Sequence, residues 1–568
     1  MRKIFLILLF CAFSINTFAQ YNTLWIPDTL SGTNFNLTLK DTLKQMIPGQ
    51  QTVTEAINGN WWGPTLIWNK GSNIQMNVTN KLQDTTTIHW HGMHLPAIMD
   101  GGPHQKIPPS TTWMPYWQVT NNAGLYWYHP HLHMETEYQM NMGLGGLIII
   151  RDPTESALPL PRTYGVDDIP LALTDRRFNS SNQIQDVPYG DSMMVNGTLR
   201  PQTNVPAQVV RFRFLDAGPE RSYNIGFSDN RTFYVITSDG GLLDAPVPVT
   251  RYLLSTGERI EILVNFTGQS GQNVTLKAYN STLTQQMPGG DVFPVGAPFY
   301  NALARIDFNI LRLNITAQTS SPVTAIPTTL TTNNFISEGS SQLTRNLTIS
   351  DTNITGVPGV AFVINHKLFN YDYYNYSVPL SNTEIWSITS TSNFSHPFHI
   401  HDVQFNILTR NGAAPPAYEK GWKDVVLVKN GETVRFIAKF NDYSDSLHPF
   451  MYHCHIALHE DDGMMGQFIV KNPTVGINNI SQVVPQFSLY PNPVTDKINI
   501  TFPNSTDASS SVYYIRIFDA AGRTIYMLPK PQLQNGIDVK GLAAGVYFLQ
   551  LTDERTKLIN TVRFIKQK

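Results

Sequence analysis

Cysteine is almost missing from this chain, with two in 568 residues. Cys11 lies in an N-terminal segment where Arg2 and Lys3 precede an apolar run over 4–15 and Thr17-Phe18-Ala19 closes it. That is the pattern of a cleaved export signal over residues 1–19. Once it leaves, Cys454 stands alone, so an internal disulfide is excluded. A lone thiol in an oxidising compartment must be buried or ligated. Charge is also scarce and balanced: 14% of residues, 40 basic against 42 acidic. Without a basic run or an acidic tail, nucleic acid is not an expected partner. No apolar run reaches the ~20 residues of a spanning helix, the leader's ~12 included, so no membrane span is expected. Long amphipathic helical patterns are few, while Thr, Asn, Val, Gly and Pro are plentiful. The fold class expected is all-β.

The blocks follow from composition. Residues 20–152 carry alternating segments such as Ile74, Met76 and Val78, which read as half-buried strands, and close on the apolar strand Leu147-Ile-Ile-Ile150. Residues 153–315 form a second β-rich block without any histidine, hence a scaffold rather than a metal carrier. Residues 316–344 are rich in Ser, Thr and Pro and read as a linker. Residues 345–471 form a third block, 472–485 a second linker, and 486–568 a small separate β domain without His or Cys.

The chemistry sits in the histidines. Ten of fifteen fall into four clusters: His89-Trp-His91, His129-Pro-His131, His396-Pro-Phe-His399-Ile-His401, and His453-Cys454-His455 with His459 and Met464 just after. His94, His104, His133, His366 and His448 are read as non-ligands. In a strand, residues i and i+2 share a face, so each His-x-His pair aims two imidazoles into one cavity. Eight imidazoles are too many for one metal and suit a cluster of about three. Cys454 points the opposite way from His453 and His455, and His396 is out of phase with His399 and His401. Two imidazoles, a thiolate and a thioether describe a blue-copper centre, and the whole donor set suits copper over zinc, calcium or magnesium. Through its neighbours, Cys454 connects that centre covalently to the cluster.

Taken together, the four motifs resemble those of the multicopper oxidases of the three-domain laccase and copper-efflux type, over residues 22–471. The resemblance implies three cupredoxin-like Greek-key domains and four copper ions. It implies that His396, Cys454, His459 and axial Met464 bind a type 1 copper, that His89 and His399 bind a type 2 copper, and that His91, His129, His131, His401, His453 and His455 hold the type 3 pair. It further implies a copper-dependent oxidoreductase that takes electrons singly from a small reducing substrate and reduces O2 to water. Asp100 and Glu460 resemble the family's acids near the type 2 and type 3 coppers and are expected to serve proton delivery.

For the donor, Thr391-Ser-Asn-Phe-Ser395 carries none of the Asp or Met that cuprous-ion oxidisers place before the first third-domain histidine, and no Met-rich insertion is present. Met134, Met140 and Met142 are scattered. A phenol-like, laccase-type donor is therefore expected, with a cuprous oxidase or ferroxidase, or a copper-sequestering protein without turnover, as alternatives. The tail resembles a type IX secretion sorting domain, on Tyr490-Pro-Asn-Pro493, Phe518-Asp519 with Gly522-Arg523, and Gly545-Val-Tyr-Phe548. It implies engagement of that secretion machinery, passage through the periplasm, and release or surface attachment. A monomer is expected.

Overall fold

The structure is a computed structural model, described over residues 21–297, 299–353, 361–472, 487–501, 513–520, 522–529, 536–553 and 559–568. The export signal read at 1–19 and, but for residue 472, the linker read at 472–485 lie outside the described residues. The chain divides into two compact units, Met1–Pro473 and Thr474–Lys568. As expected, the fold is all-β, with only short helices, such as Thr136–Met142 and Ala457–Asp461, among the described residues.

The larger unit contains three two-sheet sandwiches. In the first, one five-stranded sheet runs in the order Thr29–Ser31, Thr65–Asn69, Gly146–Arg151, Gly124–His129, His89–His91, and packs on a sheet built around Asn34–Lys44 and Asn73–Lys81. Ile74, Met76 and Val78 alternate inward along Asn73–Lys81, giving a half-buried strand. The second sandwich pairs a seven-stranded sheet with a six-stranded one. The chain's first described strand, Asn22–Thr23, joins the latter by pairing in parallel with Pro201–Pro206. In the third, the sheet Tyr376–Pro379, Met465–Lys471, Asp445–Cys454, His396–Ile400, Val425–Val428 faces a second five-stranded sheet that includes Thr433–Lys439.

Some strands are apolar without alternation because both faces are covered. On Gly146–Arg151, Ile148 and Ile150 enter the core of the first sandwich. Leu147 and Ile149 join a separate apolar layer with Trp61, Trp127, Ala172, Met194, Leu215 and Ala457, which come from all three sandwiches. That layer cements the sandwiches into one body and sets the environment of the histidines.

Among its described residues the smaller unit has a three-stranded sheet and a four-stranded sheet, the latter ordered Thr524–Pro529, Tyr513–Asp519, Gly545–Asp553, Ile559–Lys566. Its core gathers Val494, Ile498, Ile515, Ile517, Leu549 and Phe564.

Candidate metal centre

Strand parity decides which way each donor faces. On the neighbouring strands His89–His91 and Gly124–His129, Trp90, Tyr126 and Tyr128 enter the core of the first sandwich. His89, His91, Trp127 and His129 therefore take the opposite face, the one turned to the other sandwiches. In the third sandwich Phe398 pairs with Cys454 and His399 with His453. Phe398, Ile400, Tyr452 and Cys454 belong to that sandwich's own core, and the histidines between them turn outward. The two sets of outward histidines meet. His91 stacks on His399 and His89 on His401, each at 3.9 Å between ring centres.

All eight imidazoles are buried, and for all but His455 a carboxylate or backbone oxygen beside the ring fixes the tautomer. His401 donates from Nδ1 to Asp100 Oδ2 at 2.7 Å. His131 faces Glu460 Oε1 with Nδ1 at 3.0 Å. Nδ1 of His453 faces both Cys454 O at 2.9 Å and Glu460 Oε2 at 3.1 Å. With Nδ1 carrying the hydrogen, each Nε2 of a neutral ring offers only a lone pair. Those three Nε2 atoms converge to 3.2, 3.2 and 3.3 Å of one another.

A second triad is built the same way with one ring reversed. His91 donates from Nε2 to Asp424 Oδ1 at 3.1 Å, which turns its bare Nδ1 toward His455 Nε2 at 3.2 Å and His129 Nε2 at 3.4 Å. His129 donates from Nδ1 to Pro130 O at 2.8 Å. The remaining two rings, His89 and His399, donate from Nδ1 to the backbone oxygens of Asp100 and Asp424. Their Nε2 atoms are buried with no hydrogen-bond partner among the described residues. Lone pairs gathered without a proton between them repel unless a cation sits among them. Burial, reinforced by neighbouring imidazoles, also drives His91, His129, His399, His401 and His455 well below the ordinary histidine pKa, toward the neutral ligand form. The donor set therefore fits a group of metal ions.

The second group lies inside the third sandwich. Cys454 Sγ is 3.5 Å from His396 Nδ1 and 3.7 Å from His459 Nδ1, which are 3.3 Å apart. Met464 is fully buried in the same core as Cys454. Burial pushes the His396 imidazole down to about 3 and the Cys454 thiol well above its usual range. A metal ion there must displace the thiol proton, which copper bound to sulfur does. His459 sits on the short helix Ala457–Asp461, whose one turn brings it back to Cys454.

The two sequence-selected carboxylates both reach the histidines. Asp100 accepts from His401, and its Oδ1, 3.4 Å from His89 Nδ1, is buried and otherwise unpaired. Glu460 bridges His131 and His453 and accepts from Thr136 Oγ1 at 2.9 Å. Burial alone would raise its pKa, but those two imidazoles hold it well below the carboxylate range. Met134 is exposed and Met140 packs in the apolar layer between the sandwiches.

Sequence reasoning missed Asp424 and Arg259. Arg259, from the histidine-free second sandwich, grips Asp424 with Nη1–Oδ1 at 2.5 Å and Nη2–Oδ2 at 2.6 Å. Burial works against its charge, but Asp424 and Asp239 more than offset that. Lys423 bonds to Asp239 at 3.0 Å and Glu258 at 2.8 Å. An acid abutting the apolar strand Val425–Val428 and a cation inside Arg259–Asn265 were the available signals. Gly257 is forced at φ +81° by the His455 ring, which a Cβ there would meet at 2.8 Å.

Models of the multicopper oxidase family match residues 40–155 and 340–474, and that of a secretion system C-terminal sorting domain matches 488–567. The multicopper oxidase mco of Staphylococcus haemolyticus is 28% identical over 429 residues, 74% of this chain and 84% of that protein. The cell division protein FtsP of Pectobacterium atrosepticum is 31% identical, covering 74% and 86%. A solved laccase-like multicopper oxidase, CueO from the lignin-degrading bacterium Ochrobactrum sp., superposes with a TM-score of 0.69 at 32% identity, over 79% of this chain and all of that one. Cupredoxin sandwiches carrying clustered histidines and one buried thiol are the architecture of a family whose members bind copper. The chain belongs to the multicopper oxidase family, and its sorting domain marks it for export.

Proposed function

We propose that this chain is a secreted multicopper oxidase that couples one-electron oxidation of a phenol-like donor to four-electron reduction of O2 to water. The observation that carries the reading is the convergence of buried ring nitrogens, two triads with contacts of 3.2–3.4 Å and one orphaned pair, beside a separate Cys–His–His group. His131, His401 and His453 would hold one copper, His91, His129 and His455 a second, His89 and His399 a third, and His396, Cys454, His459 and Met464 a fourth. Copper at these positions supplies one-electron redox chemistry at the thiolate centre and multi-electron chemistry at the cluster.

The chain's own part is positional and protonic. Cys454 lies between His453 and His455, so electrons have a covalent path from the thiolate to both triads. Glu460 and Asp100 hold the rings from behind and supply carboxylates at the cluster, where O2 reduction consumes protons. Asp424, clamped by Arg259, turns His91 so that Nδ1 faces inward. The sorting domain supports type IX export to the medium or the cell surface, and the domain limits 20–152, 153–315 and 345–471 are proposed for the three cupredoxin domains.

The test is to load the purified protein with copper, count the metal, record the visible spectrum, and follow O2 uptake with a phenol, Cu(I) and Fe(II). Four coppers per chain, an intense blue band that disappears in Cys454→Ser, and fastest uptake with the phenol are expected. Preference for Cu(I) or Fe(II) would overturn the donor. A blue protein that consumes no O2 would leave a copper-sequestering role, and a colourless one would overturn the thiolate centre.

A further inference from the structure

The segment before His396 contains no acid, yet a carboxylate reaches this histidine from another strand. Asp351 lies near the end of Leu343–Thr352, in the sheet opposite the one that carries His396. Thr391 ties the two segments together, its backbone N–H donating to Ile349 O at 2.8 Å. Ser392, fully buried, stands between Asp351 and His396.

The direction of each hydrogen bond follows from counting protons. His396 Nδ1 faces Cys454 Sγ and His459 Nδ1, so a metal there takes that nitrogen's lone pair and Nε2 carries the hydrogen. Nε2–H therefore donates to Ser392 Oγ at 3.0 Å. The Phe394 backbone N–H donates to the same oxygen at 3.1 Å. Both lone pairs of the hydroxyl are then used, and its single hydrogen has one remaining partner, Asp351 Oδ1. The other carboxylate oxygen accepts from Asn393 N–H at 3.0 Å. Asn430 Nδ2 holds the Ser392 carbonyl. Every polar group in the chain Asp351–Ser392–His396 thus has an assigned role, and no alternative tautomer satisfies them all.

We propose that Asp351, acting through Ser392, is a positioning residue that fixes His396 in its ligand tautomer and lowers the reduction potential of the thiolate centre. This rests on the reading that His396, Cys454 and His459 hold a copper ion. A carboxylate hydrogen-bonded to the far side of a ligand imidazole raises the basicity of the ligating nitrogen. A more basic nitrogen favours the oxidised, more highly charged ion over the reduced one. Asp351 is only partly buried, with Ser392 wholly so, so its charge is transmitted along the hydrogen bonds more than through solvent. Phe362, paired in register with Asp351, lies 4.2 Å from the His459 ring. The acid and this aromatic ring therefore flank the two histidines together. The consequence is a restriction on the donor: a lowered potential excludes weak reductants and leaves the electron-rich phenols of the proposed class.

The experiment is a redox titration of the blue band in copper-loaded wild type, Asp351→Asn, Ser392→Ala and Ser392→Thr, with copper counted in each. Asp351→Asn and Ser392→Ala are each expected to favour one-electron reduction by about tenfold, which is about 59 mV. Their blue band is expected to be retained. Ser392→Thr, which keeps the hydroxyl, should return to within about threefold of wild type. An intact blue band with an unmoved potential in both Asp351→Asn and Ser392→Ala would overturn the relay alone. A wild-type protein with no thiolate–copper band at full copper loading would overturn the centre itself and the relay with it. Should Ser392→Ala fail to fold around its lost buried hydroxyl, Asp351→Asn decides the matter by itself, because it changes charge at a partly exposed position.

Discussion

Replacing Arg259 by Met would test whether the second sandwich, which supplies no ligand, holds the cluster together. Arg259 and Asp424 are both fully buried, and the guanidinium spans the carboxylate with two short bonds. Its other donors reach Gly257 O at 3.0 Å, Asp239 O at 3.1 Å and Leu125 O at 3.3 Å. The substitution leaves Asp424 as a buried carboxylate facing His91, and breaking a buried pair in this way costs about 3–5 kcal/mol. Asp239 is less affected because Lys423 still pairs with it. The copper-free protein should therefore unfold at a clearly lower temperature by tryptophan fluorescence. Adding Asp424→Leu should restore much of that loss, since neither charge then remains. The double variant should not restore copper. His91 Nε2–H loses its acceptor, and the loss of such a partner weakens metal affinity by about 10- to 100-fold, read as faster copper loss to a chelator. If Arg259→Met unfolds as wild type does, the pair does not carry the junction. If the double variant keeps copper as tightly as wild type, Asp424 does not set the His91 ring.

Two further outcomes follow from buried positions. Gly257→Ala would place a methyl group against the His455 ring at a backbone angle that favours glycine. It should lower copper content and O2 turnover while sparing the blue band, and full copper content would refute the predicted clash. Glu55 is raised to about 8, by burial first and then by Asp41, Asp84 and Glu135. An acid raised above its unfolded value, about 4.3, binds more protons folded than unfolded between those two pH values, so stability falls as pH rises through that window and levels off above it. Glu55→Gln should be more stable than wild type at pH 8 and lose the advantage by about pH 4. Parallel denaturation midpoints across that range would show the side chain already compensated.

The split between the two donor groups was legible because a strand's period is two. Cys454 and its flanking histidines could only face opposite ways, and the structure adds what lies on each side: a sandwich core behind the thiol, a neighbouring sandwich in front of the rings. Which three imidazoles meet was not legible. His131 finds His401 across 270 residues and His91 finds His455 across 364, and no local pattern encodes such distances. Arg259 was not singled out, since nothing nearby in sequence announces that another sandwich covers its outer face. Ser392 stood in a segment noted for lacking an acid, and the acid comes from a strand that pairs elsewhere. The helix bearing His459 has five residues, too few for a helical period to show.

The want of disulfides in an exported chain now has a counterpart. His89, His91, His129 and His131 belong to the first sandwich and His399, His401, His453 and His455 to the third, so any metal held among them is a cross-link between distant parts of one polypeptide. Such a tie restricts the unfolded chain as a disulfide does, more so the longer the loop it closes, and it strengthens with metal occupancy. The thiolate centre closes loops of 58 and 5 residues, both inside one sandwich, and ties nothing across that boundary. In this chain the oxygen-reducing site would also be the rivet, and stripping copper should loosen the first sandwich from the third before either one melts.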